Sequence, residues 1–333
     1  MGTNSILRPN FSNGHVAIPS SPIAKRIFKL ALAVSAVAAT FYLALPKLAS
    51  LDSSEIVTAL SLFNSWQIGA ACIAAIASFA AIATYDRMAI AYSGIELSWR
   101  RSALASTTAY ATSNMLGFPT ITANLIRIQY YRQWGLGLRH VVIASVATSI
   151  VTNVVLALIV GVTAIVFRNS IAEVFQLNAS LLAAGGLLAT ILSVSAIVYE
   201  LRRTQTVTLY RLQLGARPRI QTLLHLLGAF IDYIATTTVL YVLLAEFVTV
   251  SFPSFLVIFA CASLLAIASN VPAGLGVLEI ALLALAQTGH ENELIAAMLL
   301  FRLFYYVVPF IVTAVVLGVT EPGRLIRKIQ KPW

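Results

Sequence analysis

Charge is what this 333-residue chain has least of. Charged residues make up 10% of it and hydrophobic residues 59%, whereas an average soluble protein has about 25% charged and 45–50% apolar residues. That balance excludes a water-soluble globular domain. Cysteine is also scarce. Cys72 and Cys261 both lie inside apolar runs with no C-x-x-C pair, so neither a disulfide framework nor a thiolate metal site is indicated. His15, His140, His225 and His290 are scattered and make no metal set or nucleophile–base pair. We expect no metal and no cofactor. The G-x-x-x-x-G-K-[ST] loop that cradles nucleotide phosphates is missing too. The net charge of +10 points to nucleic acid only until the basic residues are mapped, and no nucleic-acid partner is expected.

What the chain has is apolar runs near 20 residues, the mark of a polytopic helical membrane protein. Candidate spans are 27–49, 62–84, 141–166, 180–201, 219–245 and 293–319. Each reaches across about 30 Å of hydrocarbon at 1.5 Å per residue. Residues 1–26 are rich in Ser, Pro and Asn and read as a disordered cytoplasmic tail. Residues 321–333 read as a basic cytoplasmic tail, and 27–320 as one transmembrane domain. The first apolar run lacks an A-x-A cleavage site, so it reads as a retained span. Two regions, 102–138 and 255–290, are interrupted, at Gly117-Phe118-Pro119 and at 272–276. Their pieces, roughly 12 to 16 residues each, are too short to cross alone.

Positive charge decides how these regions thread. If each broken region crosses once, Lys and Arg divide 12 inside to 9 outside. If both are hairpins that enter and leave on one side, 19 of the 22 fall inside, Lys47 and Arg168 fall outside, and Arg302 lies within a span. The second split fits the positive-inside rule far better. The expected fold is thus an all-α membrane bundle of six full spans and two re-entrant helical hairpins. Residues 27–166 and 180–319 then form inverted halves, as in transporters whose broken helices meet near the midplane. The linkers 86–101 and 202–219 mix apolar and basic residues. They read as helices on the inner leaflet or as solvated loops.

The stretch Ser269-Asn270-Val271-Pro272-Ala273-Gly274-Leu275-Gly276-Val277-Leu278-Glu279 is the focus of the chain. Proline and two glycines break a helix there, and a helix restarting after Gly276 would turn free N–H groups and its positive dipole end toward an anion. A plain interhelical turn is the alternative. Charges inside spans are the other focus. Asp232 falls mid-span, Arg302 about ten residues into 293–319, and Glu279 follows the glycine break. An ionised group at the bilayer centre costs at least ~2.5–3.5 kcal/mol, so these groups are expected to face a cavity or one another. Arg302 holds a lipid phosphate or pairs with Asp232 or Glu279. Asn114, Asn153 and Asn270 read mainly as interhelical hydrogen-bonding residues, and Tyr199, Tyr305 and Tyr306 as packing or belt residues. Gly185-Gly186 suggests close helix packing.

Four stretches resemble the lysylphosphatidylglycerol synthase transmembrane family, in particular the flippase half of bacterial multiple peptide resistance factors. They are Tyr85-Asp86-Arg87-Met88-Ala89; Ala109-Tyr110 through Asn114 and Gly117 to Arg127, Tyr131 and Trp134-Gly135-Leu136; the 269–279 stretch; and Phe301-Arg302-Leu303-Phe304-Tyr305-Tyr306-Val307-Val308-Pro309. Pro272-Ala273-Gly274 stands where the family usually has Pro-Gly-Gly, and Gln129 where it often has a second Arg. The resemblance implies movement of an aminoacylated phospholipid, typically lysyl-phosphatidylglycerol, from the inner to the outer leaflet, and resistance to cationic antimicrobial peptides. It carries Asp86, Arg127, Glu279 and Arg302 into the translocation site. Asp232, Asn270, Gly274, Gly276 and Tyr131 complete the candidate set.

The family's second membrane bundle and its aminoacyl-transfer domain have no counterpart in these residues, so the chain is expected to synthesise no lipid. Expected partners are aminoacyl-phosphatidylglycerol or phosphatidylglycerol, the membrane itself, a separate synthase and a second copy of the chain. The expected location is the bacterial inner membrane, with both termini cytoplasmic. A non-transporting subunit that scaffolds a separate lipid-modifying enzyme is the alternative. An intramembrane enzyme is disfavoured by the scattered His and Cys.

Overall fold

In a chain this apolar, helices end where polar side chains satisfy their free backbone groups. Two such caps recur. The side chain of Gln67 accepts the Asn64 backbone N–H at 2.8 Å, and Asn178 Oδ1 accepts the N–H groups of Ser180 and Leu181 at 2.9 and 3.3 Å. Each cap opens a long helix. A computed structural model describes residues 61–116, 119–209, 212–269 and 291–320, all within one compact unit, Lys47–Trp333. The expected span 27–49, both tails, the break at 117–118 and the residues Asn270, Gly274, Gly276 and Glu279 lie outside the described residues.

The elements are α1 (Ser65–Ile90, prolonged by a 3₁₀ turn Ala91–Ser93), α2 (Trp99–Leu116), α3 (Pro119–Gln133), α4 (Leu138–Val166), α5 (Arg168–Phe175) and α6 (Ala179–Arg202). A hairpin of β1 (Val207–Leu209) and β2 (Leu212–Leu214) follows. Then come α7 (Arg219–Leu244), α8 (Phe252–Ser269), α9 (Glu291–Arg302), a π turn Leu303–Val307, and α10 (Val308–Thr320). Gly94 and Gly135 close turns with φ of 79° and 81°, a backbone region open to glycine at no steric cost.

Among the described residues, five helical segments are long and apolar enough to cross a membrane: α1, α4, α6, α7 and the α9–α10 pair. Their outer surfaces carry large apolar side chains. Ile73 and Ile76 are each 70% exposed and Leu181 75%. Of α6, the buried residues are Gly186 and Ser193. Water would not support such a surface, and hydrocarbon does. The chain is therefore an all-α, multi-pass membrane protein.

Small residues set the closest helix approaches, as expected where lipid is as apolar as leucine. A Cβ on Gly186 would stand 2.7 Å from the Gly161 carbonyl oxygen, which joins α4 to α6. A Cβ on Gly228 would stand 3.0 Å from Tyr85 Cβ, which joins α1 to α7. The expected close packing at Gly185-Gly186 thus rests on Gly186, since Gly185 faces open space.

Helices α2 and α3 fold back on each other. Thr108 meets Tyr130 at 3.3 Å, Arg127 lies over the Tyr110 ring, and Arg101 over the Trp134 ring. These contacts pair positions nearly symmetric about 117–118, as an antiparallel hairpin requires. One buried cluster joins the end of α1, the start of α2, the end of α3 and the start of α4 through Ile90, Ala105, Tyr131 and Val141. The hairpin thus begins and ends at the same end of the bundle. Helix α8 starts from the opposite end, where Phe252 and Phe255 pack on Tyr241, and it runs back along α7 until the Leu256 carbonyl accepts the Tyr233 hydroxyl at 2.6 Å.

Two linkers depart from expectation. No surface helix starts at residue 86. Helix α1 continues to Ile90 with Asp86 buried, because the carboxylate has a cationic partner within the bundle. The 202–219 linker does not form a helix either. It pairs Val207 with Leu214, Thr208 with Gln213 and Leu209 with Leu212 as an antiparallel hairpin, in line with the alternating, partly β-branched sequence. Arg203 donates to the Leu214 and Gly215 carbonyls at 2.8 and 3.2 Å. Gly215 N–H donates to the Tyr92 carbonyl at 2.9 Å, and Arg217 donates to the Met88 carbonyl. Its guanidinium carbon stands 3.4 Å from the centre of the Tyr92 ring. Burial there lowers the Arg217 pKa from its ordinary value.

Candidate functional site

An ionised side chain inside such a bundle needs compensation, and α1 supplies most of the anchoring groups. Ser78, Tyr85 and Asp86 all lie on buried positions of α1. The hairpin α2–α3 brings Arg127 against Asp86. Arg127 Nε donates to Oδ2 at 3.0 Å, and Nη2 donates to Oδ1 and Oδ2 at 2.9 and 2.7 Å. The side chains are 6% and 3% exposed. Thr148 of α4 adds a long contact of 3.4 Å to Oδ1, and the Tyr110 ring lies 5.3 Å from the guanidinium carbon. This forked geometry is the strong form of a charge-assisted bond, and it explains how two ions coexist where solvent is excluded.

Asp232 of α7 forms the second focus. Its carboxylate accepts from Ser78 Oγ at 2.5 Å, Tyr85 Oη at 3.2 Å and Thr236 Oγ1 at 3.3 Å, with Tyr305 Oη at 3.5 Å. The oxygens of Ser78, Thr236 and Tyr305 also lie 2.7 to 3.1 Å from one another, so their three protons are shared between the carboxylate and these contacts. The two foci touch through Tyr85 Oη, 2.8 Å from Tyr110 Oη. One polar network therefore runs from Arg127 on α3, through α2 and α1, to Asp232 on α7 and Tyr305 in the π turn. π turns are rare and recur at functional sites, and this one turns Tyr305 into the network directly after Arg302.

The expected site residues divide accordingly. Asp86 and Arg127 meet. Tyr131 is buried one turn beyond Arg127, against Trp134 at 5.9 Å between ring centres, and belongs to the apolar cluster at the hairpin base. The expected pairing of Asp232 with Arg302 is not found. Among the described residues the ion pairs are Arg127–Asp86 and Arg203–Glu200, and hydroxyls occupy the Asp232 carboxylate instead. Arg302 is half-buried at the end of α9. Among the described residues Asn153 does not bridge helices. Its Nδ2 donates at 2.7 Å to the Ser149 carbonyl of its own helix, as polar side chains in apolar helices often do.

Ser78, Tyr85, Tyr110, Thr236 and Tyr305 are the members that sequence reasoning missed. Their hydroxyls are ordinary in a small-residue helix, and no spacing flags them. Removing one of these bonds is expected to be mild. Tyr85→Phe should cost about 0.5–1.5 kcal/mol, read as a small drop in thermal unfolding temperature in detergent. A change near zero would mean that the hydroxyl does not bridge the two foci.

An uncharacterized protein of Synechocystis sp. is 28% identical over 245 residues, covering 71% of this chain and 74% of the relative. A family model described as the lysylphosphatidylglycerol synthase TM region matches residues 27–313, which takes in Asp86, Arg127, Asp232 and the π turn. On that match the chain belongs to the lysylphosphatidylglycerol synthase transmembrane family.

Proposed function

We propose that the protein moves an anionic, aminoacylated phospholipid of the lysyl-phosphatidylglycerol type from the inner to the outer leaflet. The carrying observation is the buried network of Arg127, Asp86 and Asp232 within a bundle whose outside is apolar. Charges at such depth are rare and mark substrate paths. The lipid phosphate docks near Arg302, with the glycine-containing stretch 269–279 as the second contact that the sequence suggests. Glu279, Asp232 and Asp86 meet the cationic aminoacyl group. The role is transport rather than synthesis.

The topology proposed with it is six spans and two re-entrant hairpins in inverted halves, in the bacterial inner membrane, with both termini cytoplasmic. Its support is the clustering of basic residues. Arg87, Arg100, Arg101, Arg132, Arg139, Arg202, Arg203, Arg217 and Arg219 fall at the end of the bundle where the α2–α3 hairpin has its base, whereas Arg168 falls at the other. Positive residues favour the cytoplasmic side.

The test is a leaflet-accessibility assay in vesicles reconstituted with the full chain, comparing lysyl-phosphatidylglycerol with unmodified phosphatidylglycerol. Wild type should expose the aminoacylated lipid on the outer face. Arg302→Ala and Glu279→Ala should abolish exposure while leaving folded protein. Wild-type exposure in both variants would remove the site. Thiol labelling that put residues 132 and 211 outside would remove the topology.

A further inference from the structure

The two acidic groups of the network are compensated very differently. Asp86 has a guanidinium held by three hydrogen bonds. Among the described residues Asp232 has hydroxyls alone: Ser78 and Tyr85 from α1, Thr236 from its own helix, and Tyr305 from the π turn. Hydroxyl dipoles stabilise a carboxylate, but they carry no net charge to cancel its own. Inside hydrocarbon a lone anion of this kind is costly.

The described charged and titratable groups around it do not change the count. Arg127 of α3 is already matched by Asp86 of α1, and Tyr110 of α2 and Tyr305 are neutral phenols. His225, two turns earlier on α7, is fully buried and stacked on Tyr85 with ring centres 6.3 Å apart. Its Nδ1 faces the Arg217 guanidinium at 3.4 Å, which disfavours a second positive charge there. Its Nε2 has no hydrogen-bond partner among the described residues. Arg302 ends the helix before the π turn, and among the described residues it makes no ion pair with Asp232.

We infer that Asp232 carries a proton whenever no cationic headgroup occupies the network, so that lipid transport runs as an exchange of a headgroup ammonium for a proton. This rests on the lipid-transport reading above. With the site empty, the carboxylate takes up one proton and becomes a neutral acid that keeps its place among the four hydroxyls. When an ammonium group of the headgroup enters, that proton leaves and the ion pair takes over the compensation. The only bond made or broken is the acid O–H, and no oxidant or nucleotide is needed. Each headgroup carried outward is followed by a return step that brings one proton inward. A gradient with the acidic side outside therefore drives export. Buried acids in membrane carriers commonly serve as proton relays.

Two measurements test this on the full chain. In vesicles of phosphatidylethanolamine and phosphatidylglycerol doped with fluorescent lysyl-phosphatidylglycerol, acid outside should speed outward movement several-fold over symmetric pH, and the reverse gradient should slow it. Asp232→Asn should lose that dependence. In lipid-free detergent, an infrared difference spectrum between acidic and mildly alkaline buffer should show a protonated-carboxyl band that Asp232→Asn removes. A wild-type rate indifferent to the gradient overturns the inference, as does a band that is absent or that survives in Asp232→Asn. If wild type moves no labelled lipid at any pH, the transport reading has failed. The infrared result then decides alone whether Asp232 binds a proton.

Discussion

Arg127→Ala is expected to destabilise the folded protein by about 3–5 kcal/mol, the usual result of removing one partner of a buried ion pair. The magnitude comes from what is left behind. Asp86 would retain a long contact to Thr148 at 3.4 Å and no cation among the described residues. Asp86→Ala should cost a similar amount by stranding the guanidinium against the Tyr110 ring. The double variant removes both charges together, so its loss should fall well short of the sum of the single losses. Unfolding in mixed micelles, run as a double-mutant cycle, checks this. Additive losses would mean that the pair is solvated and that the site is open to water. The same variants should fail in lipid transport, because the pair fixes α3 to α1 at the edge of the hydroxyl cage.

The second large effect is expected at Gly186, with the sign reversed one residue away. Gly186→Ala puts a methyl group 2.7 Å from the Gly161 carbonyl oxygen and 3.0 Å from Ala164 Cβ. The first neighbour is backbone and cannot swing aside, so α6 must move off α4 at about 1–3 kcal/mol. Gly185→Ala meets nothing within 4 Å and should stabilise the helix by about 0.5–1 kcal/mol, since alanine loses less backbone freedom than glycine. Opposite shifts in unfolding temperature for these neighbours would establish the α4–α6 contact. Equal shifts would deny it.

Much of the helical layout was legible in the sequence. Apolar runs located α4, α6 and α7 to within three residues at each end, because a helix facing lipid must stay apolar throughout its length. The start of α3 at Pro119 was legible because proline can open a helix but not continue one. The end of α1 was misjudged because Tyr85-Asp86-Arg87 has the composition of a span boundary. What keeps Asp86 buried is Arg127, 41 positions later, and no local pattern announces such a pairing. The β-hairpin left a readable trace in the alternation of 207–214, overshadowed by the basic residues around it. The hydroxyl cage left none. Serine and threonine are common in small-residue helices, and only the fold decides which of them converge on Asp232.

The π turn at Leu303–Val307 interrupts the last described span. It holds one residue more than the ordinary helical turns on either side. Deleting any one of its five residues would leave four residues of regular helix that sweep nearly the same angle, so everything downstream would keep its facing. Phe310 and Thr313 would stay inward, and Ile311 and Val312 would stay outward. At this place the chain can lose one residue without turning α10, so a homologue one residue shorter here should keep the same inward and outward pattern beyond it.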